Sequence, residues 1–444
     1  MKKYSSYKPS GIEWLETIPE NWEVSKLKYL GNLFGGLTGK SGGDFNNDEN
    51  PKNKPYIPYT NIFNNTYISK DHFHYVSIDE GESQNRVKKY DMFFLMSSET
   101  HKDLGKSCIL IDDVDELYLN SFCKGYRIKD NNIQPLFLNY QILGHLHREM
   151  ISLEGKGFTR INLRQDKIND LVVFYPPLQE QEQIVNYLDE KTTIIDKLIS
   201  TKQRKVELLK EQRTTLINQV ITKGLNSNVK MKNSGVEWIG EIPESWIVGK
   251  LNFYCDRIGD GLHSTPIYDD NGEYHFINGN NIKNGKVIIT ENTRKVNEVE
   301  FNNHFIKLSN SHTLLLSING TIGNVSYYND EKVILGKSVG YINLKHSSVN
   351  IDFLYWLLLS KSIQNYFQYE LTGTTIYNLS LNSIRKTPIL IPSSKEQQEI
   401  VEYLDNHTKE IDDLVSMEQN KIELLKEYRQ SLISDVITGK IKVV

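Results

Sequence analysis

Cysteine is scarce. Three stand among 444 residues, Cys108, Cys123 and Cys255, and no two have C-x-x-C spacing. That excludes a disulfide scaffold and a cysteine-built zinc site, and the usage fits a reducing cytoplasm. Long apolar runs are missing as well. None approaches the roughly 18 residues of a membrane helix, and Met1-Lys2-Lys3-Tyr4-Ser5 lacks the apolar stretch of a secretion signal, so no membrane contact is expected. Nor is there an excess of positive charge. Lys and Arg number 52 against 56 Asp and Glu, a formal net charge of −4, so any nucleic-acid contact has to come from local patches. What is present, 38% hydrophobic and 10% aromatic residues, excludes a disordered tail protein. The length suits about two or three domains.

Catalytic patterns are missing too. Gly35-Gly36-Leu37-Thr38-Gly39-Lys40-Ser41 falls one residue short of a phosphate-binding loop, because Phe34 occupies the place of its first glycine. A glycine-rich loop facing DNA, with Lys40 near phosphate, is the better expectation. Phe174-Tyr175-Pro176-Pro177 has Tyr175 where an amino-methyltransferase loop needs an amide or carboxylate, so it reads as a stop before a helix. Glu154-Gly155-Lys156 lacks the preceding Pro-Asp of a metal nuclease. The 11 histidines show no metal spacing, and no Gly-x-Ser-x-Gly elbow occurs.

The chain is a duplication. Ser10-Gly11-Ile12-Glu13-Trp14 recurs as Ser234-Gly235-Val236-Glu237-Trp238, and Ile18-Pro19-Glu20-Asn21-Trp22 as Ile242-Pro243-Glu244-Ser245-Trp246, at an offset of 224. A second block, from Glu180-Gln181 to Val220-Ile221-Thr222, returns from Glu396-Gln397 to Val436-Ile437-Thr438 at an offset of 216. Each copy is an opening motif, a variable stretch and a conserved block.

The conserved blocks predict long helices. No Gly or Pro falls between Leu178 and Lys223. Ile184, Leu188, Ile195, Leu198, Val206, Leu209, Leu216 and Val220 form one apolar stripe, with gaps at Thr192, Lys202 and Arg213. The second copy repeats it with Ile400, Leu404, Ile411, Leu414, Ile422, Leu425, Leu432 and Val436. Ser393 with Glu396 has capping-box spacing, and Gly224 and Gly439 suit the ends. About 45 residues at 1.5 Å each give a rod of roughly 70 Å. Its stripe needs a partner, and the other copy supplies one, which predicts an antiparallel intramolecular pair. The final segment carries 7 basic and 11 acidic groups, which suits contact with protein better than with DNA.

The variable stretches read as mixed α/β domains, with strands at Met92–Met96 and Thr313–Ser317 and helices at Leu136–Met150 and Ile351–Tyr366. Polar, aromatic-laced turns fall at matching places in both. Thr38 and Lys40 precede Tyr56 and Asn61; His263 and Thr265 precede Asn280 and Asn281. Arg160 and Asn162 match Thr374, Thr375, Tyr377 and Asn378 in the last turn. Such side chains make phosphate and base-edge contacts, though ordinary turn chemistry uses the same types.

Three duplicated features together resemble the specificity subunit of type I restriction-modification enzymes. They are the Ser-Gly-(Ile/Val)-Glu-Trp…Ile-Pro-Glu-x-Trp opening, the Pro-x3-Glu-Gln-x2-Ile-Val helix start from Pro176 and Pro392, and the Glu-Leu-Leu-Lys-Glu…Val-Ile-Thr helix end. The resemblance implies an α/β (α+β) chain with two globular target-recognition domains, each followed by a long helix. The helices would form an antiparallel coiled coil with internal pseudo-two-fold symmetry. On this reading 1–177 is the first target-recognition domain, 178–225 the first spacer helix, 226–393 the second domain, and 394–444 the second helix and tail. The chain would read an asymmetric, bipartite site in double-stranded DNA and would not itself be catalytic. It would dock two methyltransferase subunits, which hold the S-adenosylmethionine and methylate adenine, and endonuclease/translocase subunits would complete the complex. No cofactor or metal is expected in this chain. Two other classes compete. A fused methyltransferase or nuclease is opposed by the missing catalytic loops, and a rod that never meets DNA would leave the matched polar turns idle.

Overall fold

A computed structural model describes residues 2–46, 50–157, 159–309, 311–345, 349–373 and 377–443. The chain divides into two compact units. Unit 1 comprises Met1–Lys202 with Asn420–Val444, and unit 2 comprises Gln203–Gln419. Each unit therefore owns one variable stretch and one segment of each long helix.

The units are built to one plan. In unit 1 the strand Glu23–Lys26 pairs antiparallel with Val172–Tyr175, closing the variable stretch at its base just before the long helix. Above it lies a four-stranded antiparallel sheet in the order Gly31–Gly35, Cys123–Ile128, Met92–Leu95, Ser107–Ile109. A three-stranded sheet follows the order Tyr118–Leu119, Asn53–Ile57, His74–Ser77, and its first pairing is parallel. Unit 2 repeats this. Ile247–Lys250 pairs with Pro388–Ile391, and four strands run in the order Cys255–Asp260, Val339–Leu344, Thr313–Ser317, Val325–Tyr327. Its three-stranded sheet is Lys295–Val296, Tyr274–Ile277, Val333–Leu335, again with one parallel pairing.

The central strands explain the apolar runs seen in the sequence. Successive side chains of a strand point to opposite faces, and here both faces are covered. Met92 and Phe94 join the core shared with the long helices, while Phe93 and Leu95 enter a second core under the three-stranded sheet. Leu314 and Leu316 divide from Leu315 in the same way.

The expected single helices over Leu136–Met150 and Ile351–Tyr366 are each broken in two. Pro135–Leu143 is followed by His145–Leu153, and Ile351–Leu359 by Lys361–Tyr369. Gly144 and Ser360 stand at the breaks in extended conformation. A Cβ on Gly144 would come within 2.2 Å of Ile437, so close approach of the long helix sets the break in unit 1.

The long helices are Leu178–Lys223 and Ser394–Ile437. In unit 1, Tyr4 donates to Glu180 near the start of the first helix and lies under Lys442, just past the end of the second. Further along, Arg429 Nη2 donates to Asp196 Oδ2 at 3.2 Å. The two segments therefore run antiparallel. Unit 2 makes the reciprocal bond, Arg213 Nε to Asp412 Oδ1 at 2.9 Å. The seam differs from the expected stripe. Leu198 and Leu414 lie outside it, 45% and 40% exposed, while Thr192 and Thr408, one of them read as a gap, are buried, Thr192 against the Tyr140 hydroxyl of the variable stretch at 3.3 Å. Thr408 satisfies its hydroxyl on the Leu404 carbonyl, so a buried threonine there costs no unpaired donor.

Repeated bonds join opening motif, helix and variable stretch. Buried Trp22 and Trp246 donate their indole N–H to Glu180 (3.4 Å) and Glu396 (3.0 Å). The next residues, Gln181 and Gln397, are fully buried and staple the loop before the short helices, accepting from the backbone N–H of Gln134 and Asn350. Ser393 caps Glu396 as its spacing predicted. Gly224 and Gly439 end the helices at φ of 71° and 70°, where a side chain would be strained.

Candidate nucleic-acid interface

In unit 1 the segment after the central strand, Ser97–Ser98, pairs antiparallel with Ile161–Asn162. Lys156 and Asn162 exchange backbone bonds of 3.1 and 2.9 Å, which hold the two ends of this stretch together. Arg160 and Asn162 are both exposed, and the Asn162 amide donates to the Arg160 carbonyl at 3.2 Å. Arg160 has no carboxylate partner among the described residues; its guanidinium lies 5.5 Å from the centre of the Phe122 ring. Tyr59 closes the same corner by donating to the Ser97 carbonyl at 3.1 Å, and burial raises its phenol above the usual range.

Phe122 sits in a turn whose geometry is set by Asn120, which accepts from the Phe122 N–H at 2.9 Å. A Cβ on Gly36 would lie 2.1 Å from the Asn120 carbonyl. The glycine-rich run thus serves close backbone packing at its first half. Its second half leads to Thr38, exposed, whose N–H is held by Gln84 at 3.1 Å. The Lys40 side chain is only 8% exposed and is paired with Glu82, whose carboxyl this contact pulls down to about 2. Lys40 is therefore engaged within the protein.

Two expectations are corrected here. Asn61 is 1% exposed, and its amide donates to the carbonyls of Ser69 and His72 and accepts from the Ser69 N–H. Tyr56 is 7% exposed and packs edge-on against Phe45 and His74. Both hold the three-stranded sheet in place and reach no surface.

Unit 2 forms the equivalent corner from other residues. A Cβ on Gly261 would lie 2.1 Å from the Leu335 carbonyl, and Leu262 bridges to Gly336. His263 and Thr265 follow, both exposed, with the His263 ring 2.8 Å from Asp260. Asn280 is exposed. Asn281 is half-buried and bonded through both ends of its amide, accepting from Asn278 N–H at 2.9 Å and donating to the Ile288 carbonyl at 2.8 Å, so it shapes the turn that presents Asn280. Asn378 bridges to Asn319, and Tyr377 beside it is 57% exposed. Thr374 and Thr375 lie outside the described residues.

The structure thus gathers the Thr38 loop, Arg160 and Asn162 at one corner of unit 1, and His263, Thr265, Asn280, Tyr377 and Asn378 around the matching corner of unit 2. Phe122, Tyr59 and Gln84 were not anticipated. A lone phenylalanine in the polar run Asn120-Ser121-Phe122 was the available signal.

The family model for the type I restriction modification DNA specificity domain matches residues 19–208 and again 255–424. The chain belongs to that family. It is a specificity chain of type I restriction-modification systems with two DNA-recognition domains, and catalysis lies in partner subunits. The putative type I restriction enzyme MjaX specificity subunit of Methanocaldococcus jannaschii is 26% identical over 441 residues, covering 96% of this chain and 95% of that one. The EcoKI specificity subunit of Escherichia coli is 22% identical, with 96% and 90% covered. Among solved structures, a chain from a study of assembly and conformational transition in a type I R-M system superposes with a TM-score of 0.72 at 15% identity, covering 96% of this chain and 99% of that one. The HsdS subunit of Thermoanaerobacter tengcongensis gives 0.51 at 14% identity, with 96% and 98% covered. These likenesses agree with the mixed α/β fold and the packed long helices. Among the described residues no helix is long and apolar enough to cross a membrane.

Proposed function

We propose that this chain reads an asymmetric, two-part site in double-stranded DNA, one half-site per variable stretch, and positions two methyltransferase subunits that methylate one adenine in each half on opposite strands. Those subunits hold the S-adenosylmethionine, endonuclease/translocase subunits join for cleavage, and the assembly works in the cytoplasm. The division into recognition domains 1–177 and 226–393 and spacer helices 178–225 and 394–444 belongs to this reading. The observation that carries it is the repeated frame. The same sheet order and the same Trp–Glu and Gln staples occur twice, while the corner each frame presents is polar and differs in nearly every side chain. A frame used twice with unlike corners suits a reader of two unlike half-sites.

Thr38, Arg160 and Asn162, with His263, Thr265, Asn280, Tyr377 and Asn378 and the adjoining Thr374 and Thr375, are the proposed DNA contacts. Lys40 and Asn281 act by shaping those loops. Apolar side chains left on the long helices, Ile194 and Leu198 in unit 1 and Leu208 and Met417 in unit 2, are 45–49% exposed and suit partner subunits. The test is co-expression with the cognate methyltransferase subunit followed by modified-base sequencing. A split motif with unlike halves is expected; a continuous or palindromic methylated motif would overturn the reading.

A further inference from the structure

Phe122 is the apolar side chain that the unit 1 corner leaves in water. Its ring is 57% exposed, between exposed Ser121 and fully buried Cys123. The turn that carries it is tied to both sheets. The Asn120 N–H donates to the Ile57 carbonyl at 3.1 Å, at the end of a strand of the three-stranded sheet. The Cys123 N–H donates to the Asn120 carbonyl at 3.1 Å, where a central strand of the four-stranded sheet begins. With the Asn120 side chain on the Phe122 N–H, three hydrogen bonds fix the turn. A ring on so fixed a support loses little conformational freedom when it meets a ligand.

Arg160 is its companion. The guanidinium stands 5.5 Å from the ring centre, and its donors meet no acceptor among the described residues. Asp103, a carboxylate at the same corner, is engaged by the Thr100 hydroxyl at 2.6 Å. An unpaired cation held beside an exposed ring suits an anionic ligand with an apolar edge. The pair belongs to unit 1 alone. At the matching position of unit 2, Ser338 turns inward, donating to Asn278 at 3.1 Å and accepting from the Gly279 N–H at 2.9 Å. A feature confined to one unit suits the reading of one half-site.

The two groups have distinct chemistry in the major groove. A guanidinium donates two parallel bonds to the O6 and N7 acceptors of guanine, whereas adenine offers a donor at one of those places. A phenyl ring makes apolar contact with the 5-methyl group that separates thymine from cytosine. Base pairs follow one another at about 3.4 Å, so side chains this close together serve neighbouring pairs.

We propose that Phe122 is a specificity-determining residue which, with Arg160, reads a T·A pair next to a G·C pair in the first half-site, the ring on the thymine methyl and the guanidinium on guanine. This rests on the reading that the corner faces DNA.

The test uses the full chain with its cognate methyltransferase subunit, and the half-site that changes when residues 31–156 are exchanged. Deoxyuridine in place of that thymine removes only the methyl group, and 7-deazaguanine removes only the N7 acceptor. The first should weaken wild-type binding by about fourfold, as for one buried methyl, and the second by about tenfold. Phe122→Ala should ignore the first change and still sense the second, Arg160→Ala the reverse, and Phe122→Leu should keep most of the methyl response. Thermal unfolding of Phe122→Ala should match the wild type. A first half-site without adjacent T·A and G·C pairs, a Phe122→Ala variant that still senses the methyl, or one that is simply less stable would overturn the assignment alone. So would a Phe122→Ala variant that keeps its DNA selectivity and instead loses the methyltransferase subunit. A wild type with no sequence-selective DNA binding would overturn the underlying reading as well.

Discussion

Units 1 and 2 share a frame and differ at its corner. Trp22 and Trp246 meet Glu180 and Glu396, Gln181 and Gln397 hold the same loop, and Arg429–Asp196 mirrors Arg213–Asp412. At the corner almost nothing matches. Where unit 1 exposes Phe122, unit 2 has Ser338, turned inward to Asn278 at 3.1 Å. The exposed aromatic of unit 2 is Tyr377, from a different loop. Even the anchor between variable stretch and long helix varies around a constant centre. Asp189 accepts from Tyr67 and Tyr140, whose phenol burial pushes up to about 12, while Asp405 accepts from the Trp356 indole at 2.9 Å. Most side chains that fix the long helix against the opening motif are repeated, whereas most side chains of the polar corner are not.

Exchanging residues 31–156 for those of a relative should show the largest effect. One half-site of the methylated motif should change completely and the other should stay, because base contacts specify while the frame only positions. Sequencing of modified bases checks this, and a simultaneous change in both halves would break the comparison. Next comes Trp22→Ala against Trp246→Ala. Each should cost about 3–5 kcal/mol in its own unit, as for a large core side chain. Similar losses of hydrogen-exchange protection, each confined to one unit, are expected; a loss in only one of them would mean the frames are not equivalent.

At the corner, Asn162→Ala with Arg160→Ala should weaken DNA binding by about 1–3 kcal/mol without lowering the melting temperature. An unchanged affinity with a lower melting temperature would make this loop structural.

The smallest effect concerns His147, which has no counterpart in unit 2, where Ile363 stands. His147 is fully buried, and desolvation lowers its pKa to about 4 from 6.5. The folded value lies below the unfolded one, so the unfolded chain takes the proton first. Stability is intact above pH 6.5 and declines as pH falls toward 4, by about 1 kcal/mol between pH 7 and 5.5. His147→Leu should remove this part of the decline in unit 1. Denaturant titrations at the two pH values, read by exchange protection in each unit, test it; an equal decline in the variant would assign the acid sensitivity to other groups.

Much of the architecture was legible because repetition and periodicity are written in the sequence itself. The offsets of 224 and 216 define the copies, and a stretch without Gly or Pro bearing an apolar stripe leaves little but a long helix. The central strands were legible as short apolar runs. The breaks at Gly144 and Ser360 were not, since the approach of Ile437 to Gly144 is a contact between residues 293 positions apart. The seam was legible only in outline. Periodicity marks a stripe but not which of its edges is covered, so Leu198 and Leu414 are left exposed and Thr192 and Thr408 are buried.

The candidate interface divides the same way. Sequence alone determined that two sets of polar turns occupy equivalent places in two copies of one unit. Which members face solvent was decided by tertiary structure. Arg160 and Asn162 stay exposed beside the backbone bonds that join Lys156 to Asn162, whereas Asn61 is drawn in because three backbone groups of one turn converge on its amide. Burial and hydrogen bonding depend on what the rest of the chain brings alongside, and a residue's type and its immediate neighbours do not carry that information.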